Sequence, residues 1–237
     1  MTSMLASVCS VREARLVEKA GVDIIDLKDP KSGALGALPL NLCRQIVTEL
    51  DGVLPVSATI GDMPFVARLI EPAIKNLAKT GVDIIKVGVF GELNRKTELN
   101  LLRSLSGRGL RIVLVIFAEN YNPSLDLTCL AEAGLLGVML DTSNKESGNL
   151  REKTSQASLL ALIRQARKHN LLSGLAGSLT GTDIEPLLSL KPDYLGFRGG
   201  LCQSGARSEE LDEIRLRTIR EQIPLKQSII LPTNTAV

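Results

Sequence analysis

Histidine occurs once in the 237 residues, as His169, and tryptophan is absent. A single imidazole cannot build a His-rich zinc site, and it argues against a histidine-centred nucleophilic triad. Proton chemistry in this chain therefore falls to carboxylates and lysines. Aromatic residues make up only 3%, too few for a surface that binds by stacking. The four cysteines, Cys9, Cys43, Cys129 and Cys202, stand far apart with no CxxC pair. A chain of this size needs no disulfide staples, so reduced thiols in a cytoplasmic protein are expected. No apolar run approaches the roughly 20 residues that cross a bilayer. The N-terminus lacks the basic and apolar regions of a signal peptide. A soluble protein without a membrane partner follows as the expectation. Lys+Arg 28 against Asp+Glu 26 leaves a formal charge of +2, too balanced to advertise nucleic acid. With 44% apolar and 23% charged residues, the composition is globular rather than disordered.

What the sequence does contain is a repeating unit. Short apolar, β-branched runs recur at Met4–Ser7, Val22–Leu27, Pro55–Ile60, Val82–Val89, Arg111–Phe117, Gly137–Leu140, Leu171–Leu175 and Tyr194–Phe197. They are mostly continuous rather than alternating, as expected of parallel strands covered on both faces. Helical spacing fills the gaps: Val11–Ala20, Leu40–Leu50, Pro64–Thr80, Asn94–Leu105, Leu125–Ala133, Gln156–Lys168, Ile184–Leu190 and Glu209–Gln222. Pro64 suits a first helical turn. Gly21, Gly81, Gly107 and Gly134 stand where left-handed C-terminal caps are wanted. Eight units of about 30 residues each, with no linker between them, predict a single (β/α)₈ TIM-barrel domain over residues 1–237.

Units two and four echo each other, GVDIID at Gly21–Asp26 and GVDIIK at Gly81–Lys86. Barrel strands of equal parity feed the same interior layers, so Asp26 and Lys86 are predicted to share one layer near the C-terminal mouth. Lys28 lies one layer higher. Strand six ends in VMLDTSNK, placing Asp141 at the mouth and Lys145 just beyond, and strand eight brings Arg198. Charges at inner strand ends are expensive unless paired or functional. A mutually neutralising ion-pair cluster is the plain alternative. Against it, this is the face where barrel enzymes keep their active sites. A crowded, partly desolvated lysine loses basicity beside other cations and presents a neutral amine able to attack a carbonyl. That is the requirement for Schiff-base chemistry, and a second lysine or a carboxylate can then move protons beside the imine.

Strands seven and eight end in glycine-rich segments, GLAGSLTG (Gly174–Gly181) and RGG (Arg198–Gly200). The loops after these two strands hold phosphate in many barrels through backbone N–H groups. Gly177, Ser178, Arg198, Gly199 and Gly200 are the candidate ligands. The RGG is no RNA-binding repeat, because it occurs once and lacks aromatic neighbours. His169 falls at a helix end and reads as a surface or capping residue. Asp29, Asp62 and Glu119 follow strands two, three and five and have only their position in their favour. Thr142–Ser155 reads as a polar loop.

The segments DLKDPKSGALGAL (Asp26–Leu38), SATIGD (Ser57–Asp62), GVDIIKVG (Gly81–Gly88), LDTSNK (Leu140–Lys145), GLAGSL (Gly174–Leu179) and GFRGG (Gly196–Gly200) together resemble the (5-formylfuran-3-yl)methyl phosphate synthase family. This methanofuran-biosynthesis enzyme is also called 4-(hydroxymethyl)-2-furancarboxaldehyde-phosphate synthase. The resemblance runs over essentially the whole chain. It implies a barrel resembling class I aldolases, which condenses two molecules of glyceraldehyde 3-phosphate into a phosphorylated furan aldehyde with loss of phosphate and water. By motif, it implies that Lys28 is the Schiff-base lysine and Lys86 the proton acceptor, with Asp26, Asp141 and Lys145 as the remaining charged groups. It implies a small phosphorylated aldehyde as substrate and no metal or organic cofactor, since the lysine itself serves as electron sink. The alternatives are another Schiff-base aldolase or phosphosugar isomerase on the same barrel, or a non-catalytic phosphometabolite-binding barrel. A homo-oligomer is compatible with the sequence but not read from it.

Overall fold

The computed structural model describes residues 1–90, 96–144 and 148–225. Eight strands alternate with helices: β1 (Ser3–Val8), β2 (Ile24–Leu27), β3 (Val56–Thr59), β4 (Ile84–Gly88), β5 (Ile112–Phe117), β6 (Gly137–Asp141), β7 (Leu172–Leu175) and β8 (Tyr194–Phe197). Each strand pairs in parallel with the next, and β8 returns to β1, closing the barrel. The (β/α)₈ expectation is met. Almost every strand residue is buried, which is why the runs carry Val, Ile and Leu at both parities.

Around the barrel lie α1 (Val11–Lys19), α2 (Leu40–Leu50), α3 (Ala67–Ala78), α4 (Lys96–Ser106), α5 (Thr128–Glu132), α6 (Leu150–Lys153), α7 (Gln156–Lys168), α8 (Gly181–Leu188) and α9 (Glu213–Gln222). Local chemistry moves several boundaries from their expected places. Pro64 lies in a turn before α3 rather than in its first turn, because Val66 N–H closes back onto the Pro64 carbonyl. Helix α9 starts at Glu213 because the Asp212 side chain caps it. Inside the expected polar loop, Asn149 and Glu152 form a capping box that starts the extra turn α6. Gly21, Gly81 and Gly134 have the positive φ that their cap positions require. After α4 that role passes from Gly107 to Gly109, at φ 89°. Among the described residues, no helix is long and apolar enough to cross a membrane.

Barrel tilt sets the interior layers. Asp26 pairs with Ser57, and Ser57 with Ile84. Strands climb about one residue per step round such a barrel, so the residue level with Asp26 on β4 is Lys86. The same count continues to Met139 on β6 and Gly196 on β8. The layer above holds Lys28, Gly88, Asp141 and Arg198. Below, Leu5, Ile24, Ile84, Val113, Leu136 and Tyr194 form an apolar floor.

The repeated GVDII also has a structural cause. Asp23 accepts the Met4 N–H at 2.7 Å, and Asp83 accepts the Val56 N–H at 2.8 Å. Each aspartate thus satisfies a backbone donor of the preceding strand at the barrel base. Asp193 does the same for Ser173 before β8. The copies differ in one respect: Asp23 is also the carboxylate 3.6 Å from the buried Arg220. We expect Asp83→Ala to cost about 1 kcal/mol, the worth of one hydrogen bond. Asp23→Ala strands a buried guanidinium and should cost about 3–5 kcal/mol. Urea unfolding of the two variants checks the order, and equal costs would contradict it.

Candidate active site

The floor of the site is one buried ion pair. Lys86 Nζ lies 2.6 Å from Asp26 Oδ1, and the two residues are 2% and 0% exposed. The expectation that they share a layer is met. Two serines complete the carboxylate's bonding. Ser7 Oγ donates to Oδ2 at 2.8 Å and Ser57 Oγ to Oδ1 at 2.7 Å. Their positions follow from strand parity, since odd strands place Ser57 just below the Asp26 layer and Ser7 just above it. The sequence reading passed over both serines, although an inward-facing serine on each strand beside an inward-facing aspartate was a usable signal.

Burial alone would raise Asp26, but the ammonium of Lys86, then that of Lys28, and the bonds from Lys86 and Ser57 outweigh it. The carboxyl therefore sits below its usual range and stays ionised. Burial draws Lys86 below the ordinary lysine value, assisted by the Lys28 charge, against the opposing pull of Asp26 and Asp141. An apolar wall stands at Gly88, one layer above Lys86. Leu35, from the loop after β2, reaches the Gly88 backbone beside Phe90, and Phe90 packs on Phe117 with ring centroids 4.7 Å apart.

One layer up, Lys28 Nζ is 3.9 Å from Asp141 Oδ2, and both side chains are largely buried. Lys28, Lys86, Asp26 and Asp141 thus converge on one cavity of about 990 Å³. Lys145 lies outside the described residues. Just before it, Ser143 and Asn144 donate their N–H groups to Glu119, which also pairs with Lys153 at 2.5 Å. Burial would raise Glu119, but Lys153 and these N–H donors hold it down at about 2. Asp62 likewise accepts from the Ala34 and Leu35 N–H groups, at 2.7 and 2.6 Å. Asp29 closes its own turn through Lys31 and Ser32. These three acids hold loops in shape. His169 caps the C-terminus of α7 and does not line the cavity.

The two glycine segments form the opposite wall. Gly177 and Ser178 both have positive φ, 117° and 51°. A Cβ at Gly177 would lie 2.7 Å from the Thr142 side chain, and one at Gly200 would lie 2.5 Å from the Leu179 carbonyl. Only glycine allows these close approaches. The backbone N–H groups of Gly177, Ser178, Gly199 and Gly200 donate to no acceptor among the described residues, and all four residues line the cavity. Successive unpaired donors of this kind form an anion-binding concavity.

Arg198 is a correction to the expected phosphate ligands. The chain leaves extended geometry at this residue, with φ −140° and ψ −70°, and its side chain runs beneath the β8–α9 loop. Nη1 donates to Glu13 at 2.6 Å and to the Ser7 carbonyl. Nη2 donates to the Glu209 carbonyl and Cys9 Sγ, and Nε to the Arg207 carbonyl. All five N–H groups are occupied, leaving none for a phosphate. Glu13, on the first turn of α1, is 4% exposed, so this is a structural ion pair. Arg198→Met should cost about 3–5 kcal/mol by stranding the Glu13 charge, and adding Glu13→Leu should recover most of it. Denaturant midpoints of the single and double variants measure both steps.

Comparisons with known proteins extend the geometry. The sequence pattern of the family described as 4-HFC-P synthase matches residues 4–220. A Methylorubrum extorquens relative with the provisional name (5-formylfuran-3-yl)methyl phosphate synthase is 41% identical over 213 residues, covering 90% of this chain and 88% of its own. The (5-formylfuran-3-yl)methyl phosphate synthase of Methanopyrus kandleri is 32% identical, over 86% of this chain and 91% of its own. That of Methanocaldococcus jannaschii is 30% identical, over 92% and 98%. Among solved structures, phosphoribosyl anthranilate isomerase from Thermus thermophilus superposes with a TM-score of 0.69 at 14% identity, over 94% of this chain and 98% of its own. For 3-hexulose-6-phosphate synthase from Salmonella typhimurium the values are 0.66, 14%, 93% and 98%. At such identities these two share the fold alone.

Proposed function

The chain belongs to the (5-formylfuran-3-yl)methyl phosphate synthase family, and from that premise we propose that its barrel mouth condenses two molecules of glyceraldehyde 3-phosphate by imine catalysis. The product is (5-formylfuran-3-yl)methyl phosphate, for methanofuran-type cofactor biosynthesis. One observation carries the reading. Two lysines, each beside its own carboxylate, open on a single cavity whose far wall is lined by unpaired backbone N–H groups.

Lys28 attacks the aldehyde of one triose phosphate, and water leaves as the imine forms. Lys86, as the neutral amine that its burial favours, takes a proton from the adjacent carbon. The second triose gives up its C2 proton and, by β-elimination, its C3 phosphate, and the enamine's electron pair bonds the terminal carbon so exposed, leaving that unit's aldehyde intact. Asp26, Asp141 and Lys145 orient the hydroxyls and return protons. Hydrolysis of the imine restores Lys28. A hydroxyl of the second unit then closes the ring on the aldehyde so released, and loss of two molecules of water makes it aromatic. The two triose phosphates are accounted for by the furan, one inorganic phosphate and two molecules of water. Gly177, Ser178, Gly199 and Gly200 hold one phosphate at the rim.

Borohydride added with glyceraldehyde 3-phosphate should fix a three-carbon phosphate adduct on Lys28, located by peptide mass spectrometry. A label on another lysine sinks the assignment, and a phosphosugar isomerase would turn over with no adduct. Lys28→Ala should abolish the furan chromophore. Because Lys86 works as the free amine, kcat should rise with pH through a midpoint below the ordinary lysine value of 10.5. Asp26→Asn removes the anion that supports the charged amine, so its ascending limb should move to still lower pH. A limb that stays in place, or moves up, contradicts the pairing.

A further inference from the structure

The cavity carries more positive charge than the imine chemistry uses. Asp26 and Asp141 are the only acidic residues among its described lining residues, and each already faces a lysine. Of the lining arginines, Arg198 is fully engaged with protein acceptors. Arg207 is not. It sits on the turn after β8, half-buried, and its backbone lies beside Gly199, where a Cβ would be 3.9 Å from the Arg207 nitrogen.

Arg207 is held firmly at one end. Nη2 donates to the Pro30 and Gly33 carbonyls, at 2.5 and 2.6 Å, and its own carbonyl is gripped by Arg198 Nε. The guanidinium is thus tied to the loop that carries Lys28. Its other edge, Nε and Nη1, donates to nothing among the described residues, and it forms no ion pair there. The next residue, Ser208, also lines the cavity, and the backbone N–H groups of Arg207 and Ser208 have no acceptor among the described residues. A planar guanidinium edge pre-oriented by two carbonyls, beside free N–H groups and a hydroxyl, is a phosphate receptor.

We infer that Arg207, with Ser208, forms a second phosphate subsite, separate from the glycine cradle of Gly177, Ser178, Gly199 and Gly200. This rests on the two-triose reading above for the identity of the second anion: each triose brings a phosphate, and the cradle takes one. Arg207 holds the other between the cradle and the Lys28 loop, so both substrates are oriented before the carbon–carbon bond forms. It is a binding residue that Arg198, nine positions earlier, only supports through a bond to its carbonyl.

Inorganic phosphate followed by ³¹P NMR provides the first readout. The wild type should saturate with two phosphates per chain, and Arg207→Gln with one. A single phosphate on the wild type, or two on the variant, overturns the inference. Borohydride trapping gives the second readout and guards against mere loop damage. Arg207→Gln should raise the glyceraldehyde 3-phosphate concentration needed for half-maximal furan formation by about tenfold to a hundredfold, while trapping of unphosphorylated glyceraldehyde on Lys28 is unchanged. Arg207→Lys, which keeps the charge without the fork, should fall between the two. Equal loss of trapping with both aldehydes would show that Arg207 merely holds the Lys28 loop and would overturn the subsite. A wild type that traps neither aldehyde refutes the imine reading instead, and the phosphate count still decides the subsite.

Discussion

The pair of Lys86 and Asp26 constrains everything built above it. Two ions taken out of water cost several kcal/mol each, repaid only when the geometry is good and the remaining lone pairs are satisfied. Here the repayment comes from three strands. Ser7 on β1 and Ser57 on β3 donate to the carboxylate that Lys86 on β4 neutralises. A slip of one residue in any of these pairings would turn a hydroxyl or an ion into the helix layer and leave its partner stranded. The polar floor therefore pins the register of half the barrel. It also keeps one lysine poorly solvated next to a fixed anion, which is the condition for an amine that gives and takes a proton.

Above this floor the rim is held by charged side chains acting on backbone. Asp62 gathers the Ala34 and Leu35 N–H groups, and Glu119 gathers those of Ser143 and Asn144. Arg198 and Arg207 do the converse, gathering carbonyls of the β8–α9 and β2–α2 loops. Loops that cannot form ladders must still satisfy their polar groups, and a single carboxylate or guanidinium satisfies two at once. The acids are spent on this work or on lysines. Lys28, Lys86 and Arg207 line the cavity.

The sequence made the architecture legible because it depends on periodicity, and periodicity is local. Strand runs, helix stripes and the parity of Asp26, Lys86, Lys28 and Asp141 all follow from counting along the chain. Arg198 shows where counting ends. Its parity points inward, but the backbone turns out of the strand at that residue, and its acid partner Glu13 lies 185 positions away. No local pattern encodes either fact. Arg207 was hidden for the related reason that its two acceptors are carbonyls of Pro30 and Gly33, and backbone acceptors leave no mark in the residue types. Ser7 and Ser57 were within reach, since the strand pairing that puts Asp26 between them needs only the parity rule already applied to the lysines.

Balanced composition and a net positive cavity are consistent once location is considered. A formal charge of +2 sums the whole chain, whereas the described residues lining the cavity include five bases and two acids. Electrostatic attraction for a dianionic substrate depends on the charges left uncompensated where the field is focused, within low-dielectric walls, rather than on the sum over the chain. Histidine adds nothing to such a design, because an imidazole near neutrality is a weak anion receptor and no carbonyl-attacking amine. A site that bound phosphate with backbone N–H groups and arginine, and moved protons with a desolvated lysine, would have no position that calls for one.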